Sequence, residues 1–265
     1  QCYDHFGGKR DIIGGCHPDG RDCYMASRYL AATAPRGLWV IAHRGCSGTC
    51  PENTMASFSA AVEANADFIE LDVHLTSDGE VVVIHDGDIG RTTNGKGRVA
   101  QMTLAEIGKY DAGSWKSPRF VGEQIPSLRE VLDLIPIGIK IEIKAEGRQI
   151  GRQVLELVRN ADAMDRVVIS SFNESTLVCL AEMGPEAERL WLGGFDVDRV
   201  PTLTTLSGPD HNDANMTQQY VDAMHAKGIA IWPWTVDTPE EIRRVIGMGV
   251  DGIISNWPGR VIQEL

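Results

Sequence analysis

The sequence lacks a long apolar run, an excess of basic residues and a cysteine spacing that could build a zinc site. No apolar run approaches the roughly 18 residues of a membrane-spanning helix, so we expect no transmembrane segment. Asp and Glu number 37 against 25 Lys and Arg, and the formal charge of −12 argues against a nucleic-acid partner, whose phosphates such a surface repels. A small anionic substrate remains compatible with this charge, because a bound cation can invert the local field.

The length and the apolar content of the chain suit one large domain. The chain has 265 residues and is 43% apolar, which allows a sizeable core. Strand-like runs alternate with helical segments and predict an α/β fold, a (β/α)8 TIM barrel over residues 37–265 with an N-terminal extension at 1–36. The eight predicted strands are the runs that end at Ala42, Asp72 and Ile84, and the segments 139–144, 166–171, 189–193, 229–235 and 251–255. The predicted helices begin at Asn53 or Thr54 and cover 127–135, 148–161, 173–183, 216–227 and 238–247, whereas 194–214 is predicted to be irregular.

Two connections depart from the alternation of strands and helices. Between strands two and three there is no room for a crossover helix, and the turn signal Asp78-Gly79 predicts either a hairpin or a return without a helix. After strand three comes an inserted segment, residues 87–126, and loops of this length are usually functional. Its Arg91, Trp115 and Phe120 are candidates to close over a ligand.

The N-terminal extension, residues 1–36, is rich in Gly, Asp and Arg and shows little periodicity apart from a short helical pattern at 24–32. We expect it to wrap on the barrel, with Cys16 and Cys23 able to form a disulfide. Gln1 in place of an initiator Met indicates a processed chain or an excised piece.

The six cysteines favour an oxidising compartment, so we expect a secreted or periplasmic protein; reduced cysteines in a cytoplasmic enzyme are the alternative. In an oxidising compartment we predict a disulfide between Cys46 and Cys50 that closes the loop after Arg44. Gly48, in the middle of this loop, permits the tight turn that so short a ring needs.

Three predicted strands each end in ionisable residues, namely His43-Arg44, Glu70-Leu71-Asp72 and His85-Asp86. Barrels gather catalytic groups at the carboxyl ends of their strands, so these residues predict one active-site rim. Glu70 and Asp72 are two apart on a strand and point to the same face, and Glu142 ends a different strand in the same register. Three converging carboxylates favour a bound Mg²⁺ or Ca²⁺, although ion pairs with Lys144 and Arg44 are the alternative.

Two histidines end strands beside these carboxylates. Cleavage of a phosphodiester needs a base for the attacking oxygen and an acid for the departing alkoxide, and a pair of imidazoles such as His43 and His85 can supply both. Structural hydrogen bonding is the alternative, and the individual roles of the pair stay open. His74 alternates with Asp72, but we expect it to point to solvent beyond a strand bend.

Other residues are candidates to bind the substrate. Arg44 has the planar fork that binds phosphate oxygens, and Lys144 adds a second positive charge on the face of Glu142. Trp234 could form a flat wall for glycerol or a head group, or belong to the core. Glu52 could serve the site or the start of a helix.

Taken together, these motifs resemble the glycerophosphodiester phosphodiesterase family, which has a phosphatidylinositol-phospholipase-C-like barrel. The resemblance runs over about residues 38–262 through HRG, PENT, E-x-D and HD, then RTTNGKG, DAGSW, IEIK, WTV and GIIS. It implies metal ligation by Glu70, Asp72 and Glu142, and it places Glu52 in the site. The activity that it implies is metal-dependent hydrolysis of small glycerophosphodiesters to glycerol 3-phosphate and an alcohol such as choline or ethanolamine.

Rival functions use the same residues. A lysophospholipase D-like enzyme would act on a lipid, and a lyase would release a cyclic phosphate instead of completing hydrolysis. A non-catalytic barrel that binds phosphodiesters is disfavoured because both histidines and all three carboxylates are present. Cys46 and Cys50, the pair Asn256-Trp257 and the N-terminal extension depart from the family pattern, and they bear on loop mobility and substrate choice.

Overall fold

Eight parallel strands form a nearly closed barrel in the structure, a computed structural model that describes residues 27–265. The barrel strands are β1 (Trp39–Ala42), β2 (Phe68–Leu75), β4 (Gly138–Ile143), β5 (Val167–Ser171), β6 (Glu188–Leu192), β7 (Leu206–Gly208), β8 (Ala230–Ile231) and β9 (Gly252–Ser255), and a ninth strand, β3 (Val81–Val83), pairs with β2 alone. Neighbours follow chain order from β4 to β8, with β2, β1 and β9 continuing on the other side of β4. Hydrogen bonds from Asp251 N to Ile231 O (3.0 Å) and from Val236 N to Ile254 O (2.9 Å) connect the two ends. The predicted fold class is confirmed.

Two details of the predicted strand set are wrong. The predicted third strand, β3, is not one of the barrel strands: it pairs antiparallel with β2 alone, in the hairpin that was one of the two predicted connections, with its turn at Asp78-Gly79. The missing barrel strand is β7, which lies inside the segment 194–214 that the sequence predicts to be irregular. This strand is only three residues long, too short to show a periodic pattern, and it is held by parallel pairing with β6 and β8.

Nine α-helices follow within the described residues 27–265: α1 (Met55–Glu63), α2 (Leu104–Ile107), α3 (Leu128–Leu134), α4 (Arg148–Asn160), α5 (Glu174–Met183), α6 (Val200–Leu203), α7 (Gln218–His225), α8 (Pro239–Gly247) and α9 (Pro258–Gln263). Helix α1 begins at a capping box in which Thr54 and Ser57 each satisfy a backbone N–H of the other. Helix α4 buries Ile150, Val154 and Val158, spaced by one turn, against the sheet. None of the helices over this range is long and apolar enough to cross a membrane.

The amino-terminal end of the barrel is filled by aromatic side chains. Tyr29, only 5% exposed, meets the rings of Trp39 and Phe68 edge-on at centroid distances of 5.7 and 5.4 Å and lies 5.5 Å from Trp232. The end of the N-terminal extension therefore packs into the barrel, as expected for a segment wrapped on it. The predicted helix at 24–32 is wrong in its described part, where a 3-10 turn spans Ala31–Thr33. The Cys16–Cys23 prediction lies outside the described residues.

The inserted segment has its own small core. It contains α2 and two 3-10 turns, Val99–Gln101 and Pro118–Phe120. Buried apolar side chains of this segment, including Ile89 and Ile107, pack against Val82 of β3. The hairpin and the inserted segment thus share one small core.

Candidate active site

A cavity of about 130 Å³ opens where the barrel strands end. Its lining includes both histidines, His43 after β1 and His85 after β3, together with Glu70 on β2 and Glu142 on β4. Trp234, which follows β8, lines it as well. The structure therefore brings together residues that are far apart in sequence, as the strand-end pattern predicts.

The three predicted metal ligands converge at this cavity. Asp72 and Glu142 are partners in the β2–β4 register, and one carboxylate oxygen from each of these residues and from Glu70 lies within 4.8 Å of the others. Glu70 and Asp72 are each 1% exposed, and Glu70 Oε1 and Asp72 Oδ1 accept no hydrogen bond. Buried carboxylate oxygens without donors are costly, and an all-oxygen set of this kind suits Mg²⁺ or Ca²⁺. These residues can hold a divalent cation.

Three cations surround the carboxylates. Lys144 Nζ lies 2.5 Å from Glu142 Oε1 and 3.2 Å from Asp72 Oδ1. Arg44 Nε lies 3.3 Å from Asp72 Oδ2, and its main-chain N–H donates to Glu70 Oε2 at 2.9 Å. Lys140, fully buried on β4, places its Nζ 3.5 Å from Glu70 Oε1. Arg44 and Lys144 thus form the ion pairs that were the predicted alternative to a metal. Glu70 Oε1 and Asp72 Oδ1 nevertheless accept no hydrogen bond.

Burial and charge shift the pKa values of this cluster in opposite directions. Burial raises the pKa of Glu142, and the like charge of Asp72 adds to this effect. Burial acts the same way on Asp72, but Lys144 and Arg44 outweigh it and lower the pKa of Asp72 to about 2. For Lys144, burial favours the neutral amine, yet the two carboxylates outweigh it and raise its pKa. Asp72 therefore carries a negative charge at neutral pH.

The two histidines have different partners on Nδ1. His43 Nδ1 lies 2.7 Å from the side-chain oxygen of Asn256, and its Nε2 lies 3.9 Å from Glu70 Oε2. His85 Nδ1 lies 2.6 Å from Asp86 Oδ1. Arg91 is the largest influence on Asp86 and lowers its pKa to about 2, so His85 faces a carboxylate that is ionised at neutral pH. The ring of His43 thus contacts a neutral amide, whereas the ring of His85 contacts an ionised carboxylate.

The loop after β1 bends sharply to bring its residues into the site. Arg44 (φ 54°) and Asn53 (φ 58°) are both in the left-handed region, which is uncommon outside glycine and typical of functional sites. Asn53 Nδ2 donates to Asp72 Oδ2 at 2.9 Å, and Arg44 Nη1 donates to Glu52 Oε1 at 2.8 Å. These contacts tie the loop to the carboxylates and explain why the strained conformations persist.

Glu52 is held between two guanidinium groups. Besides Arg44, it accepts from Arg91 Nη2 at 2.8 Å and Nη1 at 3.0 Å, and these donors lower its pKa although burial would raise it. Arg91 thereby links the inserted segment to the rim. Trp115 instead donates its indole N–H to Ala112 O (2.9 Å), and neither it nor Phe120 is among the described residues that line the cavity.

Two further predictions meet the structure differently. Trp234 lines the cavity, donates its indole N–H to Gly208 O at 2.7 Å and meets the half-exposed ring of Phe172 edge-on at 5.6 Å. Trp234 is therefore part of the cavity wall, and its contact with a substrate stays a prediction. The prediction that His74 points to solvent is wrong, because it is partly buried and its Nε2 lies 3.0 Å from the carbonyl oxygen of His85.

The predicted disulfide in the loop after Arg44 is absent, since Cys46 and Cys50 are buried free thiols. The N–H of Cys50 donates to Cys46 O at 2.9 Å, so the turn is closed by its backbone and needs no covalent bridge. Burial raises the pKa of Cys46 to about 11. Gly48 allows close packing, because a Cβ at this position would clash with the Trp257 ring. The compartment stays a prediction.

Three residues with contacts in the site, Asn53, Lys140 and Asn256, were not among the predicted site residues, and Asp86 was placed at the rim without a role. Lys140 had a signal, because it alternates with Glu142 and Lys144 on one face of β4. Asp86 lies next to His85 and Asn53 lies next to Glu52, and both of these neighbours are predicted site residues. Asn256 follows β9 at the same rim, which was its only signal.

Comparison with known proteins agrees with this geometry. The model of the glycerophosphoryl diester phosphodiesterase family matches residues 43–260. A glycerophosphodiester phosphodiesterase of Caldanaerobacter subterraneus is 40% identical over 232 residues, which cover 84% of this chain and 96% of the relative. One of Bacillus subtilis is 33% identical over 252 residues, which cover 85% of each chain. The solved structure of an Oleispira antarctica phosphodiesterase in complex with the product sn-glycerol-3-phosphate matches with a TM-score of 0.81 at 30% identity, over 85% of this chain and 96% of that one. The chain therefore belongs to the glycerophosphoryl diester phosphodiesterase family and is a phosphoric diester hydrolase.

Proposed function

We propose that this protein hydrolyses small glycerophosphodiesters to glycerol 3-phosphate and an alcohol, with a divalent cation held by Glu70, Asp72 and Glu142. The observation that carries the proposal is the convergence of these three buried carboxylates, two of which keep an oxygen without a hydrogen bond. The Oleispira antarctica relative binds sn-glycerol-3-phosphate as its product, which supports the same product here. A bound cation would supply positive charge to orient the phosphate and to offset the charge that develops on its oxygens.

The two histidines are suited to move the protons of the reaction. His43 and His85 line the same cavity, so a phosphodiester in it lies within reach of both. One imidazole removes a proton from the attacking oxygen, which belongs to water or to the neighbouring glycerol hydroxyl of the substrate. The other imidazole protonates the departing alkoxide, so that no strongly basic leaving group is released.

Cationic and aromatic residues are suited to hold the rest of the substrate. Arg44 and Lys144 line the cavity and present positive charge to a phosphodiester. Trp234 and Phe172 offer a wall for the glycerol or the head group. The cavity of about 130 Å³ favours a small glycerophosphodiester over the lipid of a lysophospholipase D-like enzyme, because pockets for larger ligands usually measure about 300 Å³ or more.

A screen of glycerophosphodiesters with and without EDTA tests the proposal. We expect turnover of at least one such substrate, its loss on chelation and its recovery when Mg²⁺ or Ca²⁺ is added back. Asp72→Asn should abolish the recovery, whereas Glu156→Gln, an exposed carboxylate change on α4, should leave it intact. Undiminished turnover in EDTA would refute the requirement for a divalent cation.

Phosphorus NMR of the products separates hydrolysis from its rival. We expect the glycerol 3-phosphate monoester as the final product. Accumulation of a cyclic phosphate as the end product would instead identify a lyase that uses the same residues.

A further inference from the structure

Asn256 is the direct partner of a catalytic candidate, although nothing in the proposed reaction requires an amide. It follows β9, the last strand of the barrel, and its Oδ1 lies 2.7 Å from His43 Nδ1. His43 itself follows β1, which pairs with β9 in the barrel wall. The contact therefore joins the first and last strands of the barrel at the rim of the site.

The orientation of the Asn256 amide is set by Asp237. Asp237 Oδ2 lies 2.6 Å from Asn256 Nδ2, and a carboxylate can only accept, so the amide nitrogen must face Asp237. The same carboxylate also accepts the main-chain N–H of Asn256 at 2.8 Å and the hydroxyl of Ser255 at 3.0 Å. These bonds hold the carboxylate still. The amide oxygen is thereby left to face His43.

This orientation selects one tautomer of His43. An amide oxygen is only an acceptor, so Nδ1 must carry the hydrogen of the neutral ring, and Nε2 keeps its lone pair. Nε2 is also the ring nitrogen near the carboxylates, 3.9 Å from Glu70 Oε2. Ser47 Oγ lies 2.7 Å from both His43 O and Asn256 Oδ1, and its single hydrogen can be donated to either of these two acceptors.

We propose that Asn256 is a positioning residue that holds His43 in its Nδ1–H tautomer, with Nε2 as the proton acceptor, and that Asp237 locks Asn256 in place. The proposal rests on the proposed function for its catalytic consequence. In the first step, the attacking O–H gives its proton to His43 Nε2 while the oxygen forms its bond to phosphorus. The alkoxide that leaves phosphorus takes its proton from the other histidine.

The resting enzyme provides the first test, since the tautomer can be measured without a substrate. We expect ¹⁵N-imidazole NMR of the wild type to show a single Nδ1–H tautomer for His43. Asn256→Leu, which keeps the approximate size but removes the acceptor, should give a mixture of tautomers. A wild-type His43 that carries its hydrogen on Nε2, or an unchanged spectrum in the variant, would overturn the proposal whatever the substrate is.

Kinetics provide the second test. Removal of a partner that orients an imidazole typically costs 10- to 100-fold, so Asn256→Leu should lower kcat by about that factor and leave KM within about twofold. Asn160→Leu, at an exposed position on α4, is the matched control and should match the wild type. An unchanged kcat in Asn256→Leu would overturn the positioning role.

A swap of the two side chains guards against misfolding of the leucine variant. Asn256→Asp alone sets two carboxylates against each other at the 2.6 Å contact with Asp237 and should lose activity. Adding Asp237→Asn places an amide N–H donor at position 237 opposite the carboxylate acceptor at position 256. We expect the double variant to recover the Nδ1–H tautomer and at least half of the lost kcat on a logarithmic scale. A folded double variant without recovery would refute the lock.

Discussion

Replacement of Lys140 by methionine tests whether the buried ammonium group balances the charge of the carboxylate cluster. Lys140 is 1% exposed, and its Nζ lies 3.5 Å from Glu70 Oε1, an oxygen with no hydrogen bond. Methionine fills a similar volume without the charge. The variant should therefore leave Glu70 buried beside the other acidic groups with less compensation, and a divalent cation should then bind more tightly.

The magnitude follows from the distance. At 3.5 Å and an effective dielectric constant of about 20, the attraction between the two charges is about 5 kcal/mol before the cost of their burial. Removal of one partner of a buried pair typically destabilises a protein by about 3–5 kcal/mol. For a domain of this size each kcal/mol shifts Tm by about 2–4 °C, so the metal-free variant should melt about 6–20 °C lower.

Thermal melting in EDTA and in Mg²⁺ or Ca²⁺, together with calorimetric titration of the cation, measures both effects. A cation at 100 times its Kd adds about 2.7 kcal/mol of stability, so the cation should recover part of the loss in Lys140→Met. Lys109→Met, at an exposed position, is the control and should melt like the wild type. The reasoning is wrong if Lys140→Met keeps the wild-type Tm in EDTA, or if the cation stabilises it less than the wild type.

Three further predictions concern other parts of the molecule. In steady-state assays, His43→Ala and His85→Ala should each lower kcat by about 10²- to 10⁴-fold, and the double variant should lose less than the product; full additivity would contradict a shared proton cycle. Tyr29→Ala should lower the free energy of unfolding in urea by about 3–5 kcal/mol, because it empties the aromatic cluster at the barrel end; an unchanged midpoint would disprove that packing role. The hydrogen bond to Asp251 raises the pKa of His225, so its stabilisation is complete below pH about 6.5 and is lost as pH rises through the higher folded pKa. His225→Gln should flatten that part of the Tm–pH curve, and an identical curve would exclude the pair.

The catalytic candidates could be predicted from the sequence because each follows an apolar run. His43 follows β1, Glu70 comes one residue after the β2 position that pairs with the end of β1, and Glu142 lies near the end of β4. A parallel barrel brings such positions to one rim whatever their separation in the chain. His85 follows β3, which is outside the barrel, yet it reaches the same cavity because the hairpin returns the chain to a position beside Asp72, where Ile84 N donates to Asp72 O at 2.9 Å. The role of His85 stays a prediction, whereas the inclusion of β3 among the eight barrel strands was wrong.

The partners of these residues could not be predicted, because they depend on contacts that only the closed barrel creates. Asn256 meets His43 across 213 positions, and Asp237 meets Asn256 from the loop after β8. No periodicity links such residues. The failed prediction at Cys46 and Cys50 has a local cause, since a backbone hydrogen bond already closes the turn that a disulfide was expected to close.

The charges around the carboxylates bear on how the site accommodates a substrate. Arg44, Lys140 and Lys144 formally balance the three acidic groups, and Lys144 occupies oxygens of both Glu142 and Asp72. The same ammonium group lines the cavity, where a phosphodiester would attract it. If Lys144 turns toward the phosphate, it releases carboxylate oxygens on which a cation can bind, and a cation bound there would in turn repel Lys144 toward the phosphate. Binding of the substrate and of the cation would then strengthen each other by the same factor, since such coupling is reciprocal.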